Sequence, residues 1–154
     1  MKLILGLTLV VALVSGGMAA AKTDFSGTWV FNAAKSKNIG PMSSMELTSS
    51  IQQDASRLSI KDESKFMGQE STRDTSYDLT GKPVANQNFM GENAETVTRW
   101  AGDKLVTTWK TGGAIAGTTV IRTETRSLSS DGKTMTLESV RGSSPPVVMV
   151  FDRK

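Results

Sequence analysis

From Phe25 to Phe31 the odd positions are Phe, Gly, Trp and Phe, while the even positions are mostly polar. That period of two is the pattern of a strand with one buried face. The same alternation predicts strands over Met45–Ile51, Arg57–Phe66, Glu95–Trp100, Lys104–Lys110, Thr118–Leu128, Thr134–Arg141 and Val147–Arg153. Weaker versions run over Ser71–Leu79 and Pro83–Met90. No stretch after residue 21 carries a sustained helical stripe; the best is a short turn near Ala33–Lys37.

Turn chemistry separates these runs. Asp54-Ala-Ser, Thr80-Gly-Lys-Pro83, Ala101-Gly-Asp103 and Ser130-Asp-Gly-Lys133 each sit between two alternating stretches, where hairpin connections belong. Short separators imply antiparallel neighbours, because a parallel crossover needs a dozen residues or more. The fold class that follows is all-β: an antiparallel up-and-down β-barrel of about 8–10 strands, closed so that no strand edge stays exposed. Two connections are less tidy, Asn38–Ser44 and Thr111–Gly117. The second, TGGAIAG, is too rich in glycine and small residues for a strand interior and reads as a mobile rim loop.

Residues 1–21 differ from the rest. Lys2 is followed by the apolar run Leu3–Val14 and by the small residues Ala19-Ala20-Ala21, the three regions of a secretory signal peptide. Cleavage is expected after Ala21, leaving one domain over residues 22–154 in the periplasm or outside the cell, with no transmembrane segment in the mature chain. No cysteine follows the apolar run, so a lipid-modified N-terminus is excluded, and disulfides are excluded with it.

The formal charge of +3 includes Lys2, and the remaining charges are mixed along the chain with no basic run. This balance speaks for solubility and against nucleic acid as a partner. The chain has neither histidine nor cysteine, which removes the commonest general base, the thiol nucleophile and the usual metal ligands. Its only adjacent acids among the strands, Asp62-Glu63, point to opposite faces. No enzyme and no cofactor, haem included, is therefore expected. A membrane-spanning barrel is excluded too, since Lys61, Glu63 and Lys65 line one face of a strand that would have to meet lipid.

Gly27-Thr28-Trp29 on the first strand resembles the Gly-x-Trp signature of the calycins, meaning lipocalins and fatty-acid-binding proteins. Thr98-Arg-Trp100-Ala-Gly-Asp-Lys-Leu-Val106 and Met149-Val-Phe151-Asp-Arg-Lys154 are similar to the fatty-acid-binding branch. The opening DFSGTWVFNAAKSKN is similar to small exported bacterial lipocalin-like proteins, largely of undetermined function. The resemblance implies a barrel around a cavity for a small hydrophobic or amphipathic molecule, with Trp29 plugging one end as a structural residue. Gly27 is expected to make room where another group comes close.

The chain also departs from that family. The connection Ala33–Ser44 is too short for the two-helix lid. The Arg-x-Tyr pair that clamps a carboxylate from the last strand is replaced by Met149 and Phe151, which leaves these two as apolar ligand contacts. The Thr-Asp-Tyr motif of lipocalins is missing.

The candidate polar anchors lie on Thr118–Leu128. Parity places Arg122, Glu124 and Arg126 on one face with Val120 and Leu128, and Arg122 matches the inward arginine of the resembling strand. With that face inward, Glu124 or an acidic ligand must neutralise Arg122, because an unpaired buried charge is very costly. With the other face inward, Thr119, Ile121 and Thr123 point to the core and the charges form a solvated ladder. Two functions follow: a cavity that binds a small hydrophobic ligand, or a barrel filled by its own side chains that acts as an envelope-associated interaction protein. No protein partner is specified by the sequence.

Overall fold

Ten antiparallel strands follow one another in the computed structural model, which describes residues 22–154. They are β1 (Gly27–Phe31), β2 (Glu46–Gln53), β3 (Arg57–Phe66), β4 (Gln69–Asp78), β5 (Val84–Gln87), β6 (Asn93–Ala101), β7 (Lys104–Gly112), β8 (Thr119–Leu128), β9 (Thr134–Arg141) and β10 (Val147–Arg153). The expected leader, 1–21, lies outside the described residues. Each strand pairs with its neighbours in sequence except β4 with β5, and β1 also pairs with β10, so the sheet runs β4-β3-β2-β1-β10-β9-β8-β7-β6-β5 and curls into a barrel. This is the all-β up-and-down architecture expected from the alternation.

Three expectations need correcting. The barrel is not closed by strand pairing, because β4 and β5 stand at the two ends of the ladder. A side chain bridges the seam instead: Asn86 donates from Nδ2 to the Ser76 carbonyl (2.8 Å), and its Oδ1 accepts from the Ser76 N–H (3.2 Å). One carboxamide thus does locally what a strand partner would do. Secondly, β5 is far shorter than Pro83–Met90, because the Asn88 carboxamide oxygen accepts from the N–H groups of Met90 and Glu92 and turns the chain. Thirdly, Thr111 and Gly112 belong to β7, where they pair with Val120 and Thr119, so the glycine-rich loop is shorter than the sequence suggested.

The connections at one end of the barrel are tight and polar. Asp54 accepts from the Ser56 and Arg57 N–H groups, Asp78 from that of Thr80, and Asp131 from that of Lys133. Phe25, Trp29, Leu58, Leu105 and Met135 fill this end and are fully buried. The Trp29 indole donates to the Phe25 carbonyl at 2.9 Å, and the Arg153 guanidinium lies 4.3 Å from the Trp29 ring centroid. Arg153 also donates to the Ser26 and Gly132 carbonyls. Gly27 is required here on two counts. Its φ is +137°, and a Cβ would stand 2.7 Å from Arg153 Nη1. The group that Gly27 admits is therefore the guanidinium capping Trp29.

The opposite end carries the β3–β4 turn Met67-Gly68, both with positive φ as a two-residue hairpin turn requires. The β1–β2 connection lies at this same end. It holds two 3-10 turns, Ala33–Lys35 and Gly40–Ser44, where the resembling family has a helical lid.

Candidate functional site

Strand register decides what faces the interior. Leu105 and Trp109 on β7 are buried, and their partners across the ladder are Arg126 and Arg122. Cross-strand partners share a face of the sheet, so burying the leucine and the tryptophan brings both arginines inside, with Glu124 between them. Ile121 is left 48% exposed on the outer surface. The ladder therefore removes the alternative in which Ile121 points inward and the charges face solvent.

These side chains line a cavity of about 700 Å³ within the barrel. All five sequence-predicted site residues, Arg122, Glu124, Arg126, Met149 and Phe151, contribute to its wall. Met149 and Phe151 join Met135 and Leu137 on β9 and β10 to form an apolar side, while Met42, Phe89, Met90 and Pro145 stand at the mouth.

The two β8 arginines differ in their partners. Arg122 Nη2 lies 3.1 Å from Glu124 Oε1, and its guanidinium stacks 4.8 Å from the Trp109 centroid. Glu124 also accepts from the Trp109 indole at 2.9 Å, so the acid is held from two sides. Arg126 is only 6% exposed yet has no acidic partner and no hydrogen bond among the described residues, and its Nε is a buried, unpaired donor. The Tyr77 ring lies 5.8 Å from its guanidinium. Tyr77 meets Trp109 edge-on at 6.0 Å, and burial, followed by the nearby Glu124 charge, pushes its phenol above the usual value. Arg122, matched to the family's inward arginine, is thus neutralised internally. The free charge sits deeper, at Arg126.

Sequence reasoning missed a second polar group. Asp62 on β3 and Arg73 on β4 are register partners joined at 2.8 Å, and Ser49 on β2 donates to Asp62 at 2.6 Å. Parity could have found both: Asp62 follows Leu58 and Ile60 on the inward face, and Arg73 precedes Thr75 and Tyr77. In total four arginines line the cavity, Arg73, Arg122, Arg126 and Arg141, against the acids Asp62 and Glu124. The interior is electropositive.

The fold defined by this barrel is that of the fatty-acid-binding, calycin-like proteins. A fatty acid transporter, REP1-NXSQ, superimposes with a TM-score of 0.65 at 17% identity, over 84% of this chain and 95% of its own. Human cRBP IV matches with 0.65 at 18% identity, over 86% and 99%. Fatty-acid-binding protein 1 of Echinococcus granulosus matches with 0.65 at 12% identity, over 84% and 96%. Neither a protein-family model nor a curated protein sequence matches the chain.

Proposed function

We propose that this chain is an exported, non-catalytic binding barrel that takes a small amphipathic molecule into its interior. The apolar body of that molecule lies against Met135, Leu137, Met149 and Phe151, and a single anionic group meets Arg126. The observation that carries the reading is a nearly buried guanidinium without an ion-pair partner, lining a cavity of about 700 Å³. That volume is in the range of small-molecule sites. An anion there would supply the charge-assisted hydrogen bonds that Arg126 lacks. A barrel filled by its own side chains would leave no such volume, so the cavity supports binding over the envelope-associated alternative.

Export is supported by the leader-like residues 1–21, and an intact mass beginning at Lys22 would test it. The kinship suggested by DFSGTWVFNAAKSKN, with small exported bacterial lipocalin-like proteins, agrees with the barrel. A non-catalytic role is supported by the engagement of both cavity acids in ion pairs and by the lack of histidine and cysteine.

The test is calorimetric titration with hexadecanoate and with hexadecanol. The acid should bind about tenfold or more tightly than the alcohol, in line with a hydrogen bond to a charged group, and Arg126→Met should abolish that preference. Failure of both probes to bind, or an unchanged preference in the variant, would overturn the reading.

A further inference from the structure

The cavity has two unlike walls. The β9–β10 side presents Met135, Leu137, Met149 and Phe151, suited to a hydrocarbon chain. On β3 the inward series starts with Leu58 and Ile60 but continues as Asp62 and Ser64; on β4, Tyr77 and Thr75 give way to Arg73 and Ser71. Asp62 is largely buried and Arg73 partly so, and a wall shaped only for alkyl chain would keep aliphatic side chains there, because buried polar groups are costly unless they are bonded. Most of this group is bonded. Ser49 donates to Asp62, Arg73 Nη2 donates to Asp62, and the Ser64 and Ser71 hydroxyls lie 2.8 Å apart.

Donors are left over. Arg73 Nε is buried without a partner among the described residues. The Phe89 ring at the mouth stands 5.9 Å from the Arg73 guanidinium, on the opposite side of β4 from the Asp62 ion pair. The arginines Arg73 and Arg126 belong to different strands, β4 and β8, yet both line the one cavity, and the Tyr77 ring, 5.8 Å from the Arg126 guanidinium, shares the inward face of β4 with Arg73, which lies nearer the mouth. A ligand that engages Arg126 with its charged end and runs out along β4 passes the Asp62–Arg73 group.

We propose that the ligand is an oxygenated anionic amphiphile: besides its acidic end it carries a hydroxyl or carbonyl oxygen partway along its body. That oxygen accepts from the Arg73 guanidinium, whose Nη1 makes no hydrogen bond among the described residues, and a hydroxyl also donates to the Asp62 carboxylate. The assignment rests on the reading of the cavity as a site for an anionic amphiphile and narrows its ligand class. It separates this barrel from one shaped for a plain acyl chain.

The experiment titrates the wild-type protein with hexadecanoate and with monohydroxylated hexadecanoates bearing the hydroxyl at successive carbons. At least one mid-chain hydroxy acid should bind about tenfold or more tightly than hexadecanoate. The double variant Asp62→Leu/Arg73→Met, which replaces an ion pair by apolar side chains of similar reach, should bind the two kinds of acid alike. If every hydroxy acid binds no tighter than hexadecanoate while hexadecanoate still depends on Arg126, this inference is overturned and the binding function stands. Absence of binding by any acid overturns both. The wild-type series decides the matter even if the double variant does not fold.

Discussion

Replacing Arg126 by methionine should stabilise the ligand-free protein, the reverse of what truncating a well-paired buried side chain does. In the wild type the guanidinium is almost wholly removed from water with no acidic partner and an unpaired Nε–H. An unsatisfied buried donor costs about 1–3 kcal/mol, more when the group is charged. The compensation comes from the Tyr77 ring, 5.8 Å from the cation, worth about 0.5–2 kcal/mol. Methionine keeps much of the length and fills the space flexibly. The balance favours the variant by about 1–2 kcal/mol, the scale on which apolar replacement of buried ions stabilises. Arg122→Met should go the other way. It strips Glu124 of its only ion-pair partner among the described residues and leaves the acid with the Trp109 N–H, a loss of about 1–3 kcal/mol, given that the pair is partly hydrated. Urea unfolding of delipidated protein, checked by native mass spectrometry, reads both; the Arg126 variant's midpoint should rise by roughly 0.5–1 M. A destabilised Arg126→Met would mean that the protein itself satisfies this charge, and the case for an anionic ligand would fall with it.

Three further outcomes can be read by urea or thermal unfolding. Trp29→Ala should cost about 3–5 kcal/mol as a large buried aromatic, and Gly27→Ala about 1–3 kcal/mol from backbone strain at φ +137°; near-neutral urea midpoints would show that the Arg153–Trp29 cap does not close the barrel. Acid should weaken the fold only at low pH. The carboxyls of Asp54, Asp78 and Asp131 are held below their usual range, by the Ser56 N–H first for Asp54, the Thr80 hydroxyl first for Asp78 and the Ser129 hydroxyl first for Asp131. A folded pKa below the unfolded one gives stability that is present above the unfolded value and lost as pH falls through the folded value. The thermal midpoint should therefore stay flat from about pH 7 to 5 and drop below about pH 4, and a drop between pH 7 and 5 would contradict this.

The strand plan was legible because alternation and turn residues report local geometry, and ten runs with Asp/Gly/Ser separators leave little else to build. What could not be read locally was the partner of each strand face. Strand β8 shows why. Its own residues offer Val120 and Leu128 on one face and Ile121 on the other, a near balance that the neighbouring strands break, β7 through Leu105 and Trp109 and β9 through Met135. The same limit hid the seam. Nothing in Ser71–Leu79 or Pro83–Met90 says that the two strands stop short of pairing, since the bridging group is the side chain of Asn86. Buried Thr98 and Thr107 are a milder case. Each looks polar in its own strand, yet their hydroxyls lie 2.8 Å apart and satisfy one another inside the barrel.

Those threonines also set a standard against which the cavity can be judged. Where this barrel buries polar groups for structure alone, it pairs them, the Trp100 indole N–H apart: Thr98 with Thr107, Thr96 with Asn86, and the Trp29 indole with the Phe25 carbonyl. The cavity arginines break the habit, and at only a few atoms. Arg122 and Arg73 each hold an acid but keep a buried Nε unpaired, and Arg126 holds no acid at all. A domain without disulfides, whose stability rests on its core, would gain by exchanging Arg126, or either other arginine together with its acid, for leucine or methionine. Their concentration at the inner wall of one cavity is accounted for if these guanidinia take up the oxygens of a ligand; elsewhere among the described residues only the Trp100 indole N–H is left buried and unpaired.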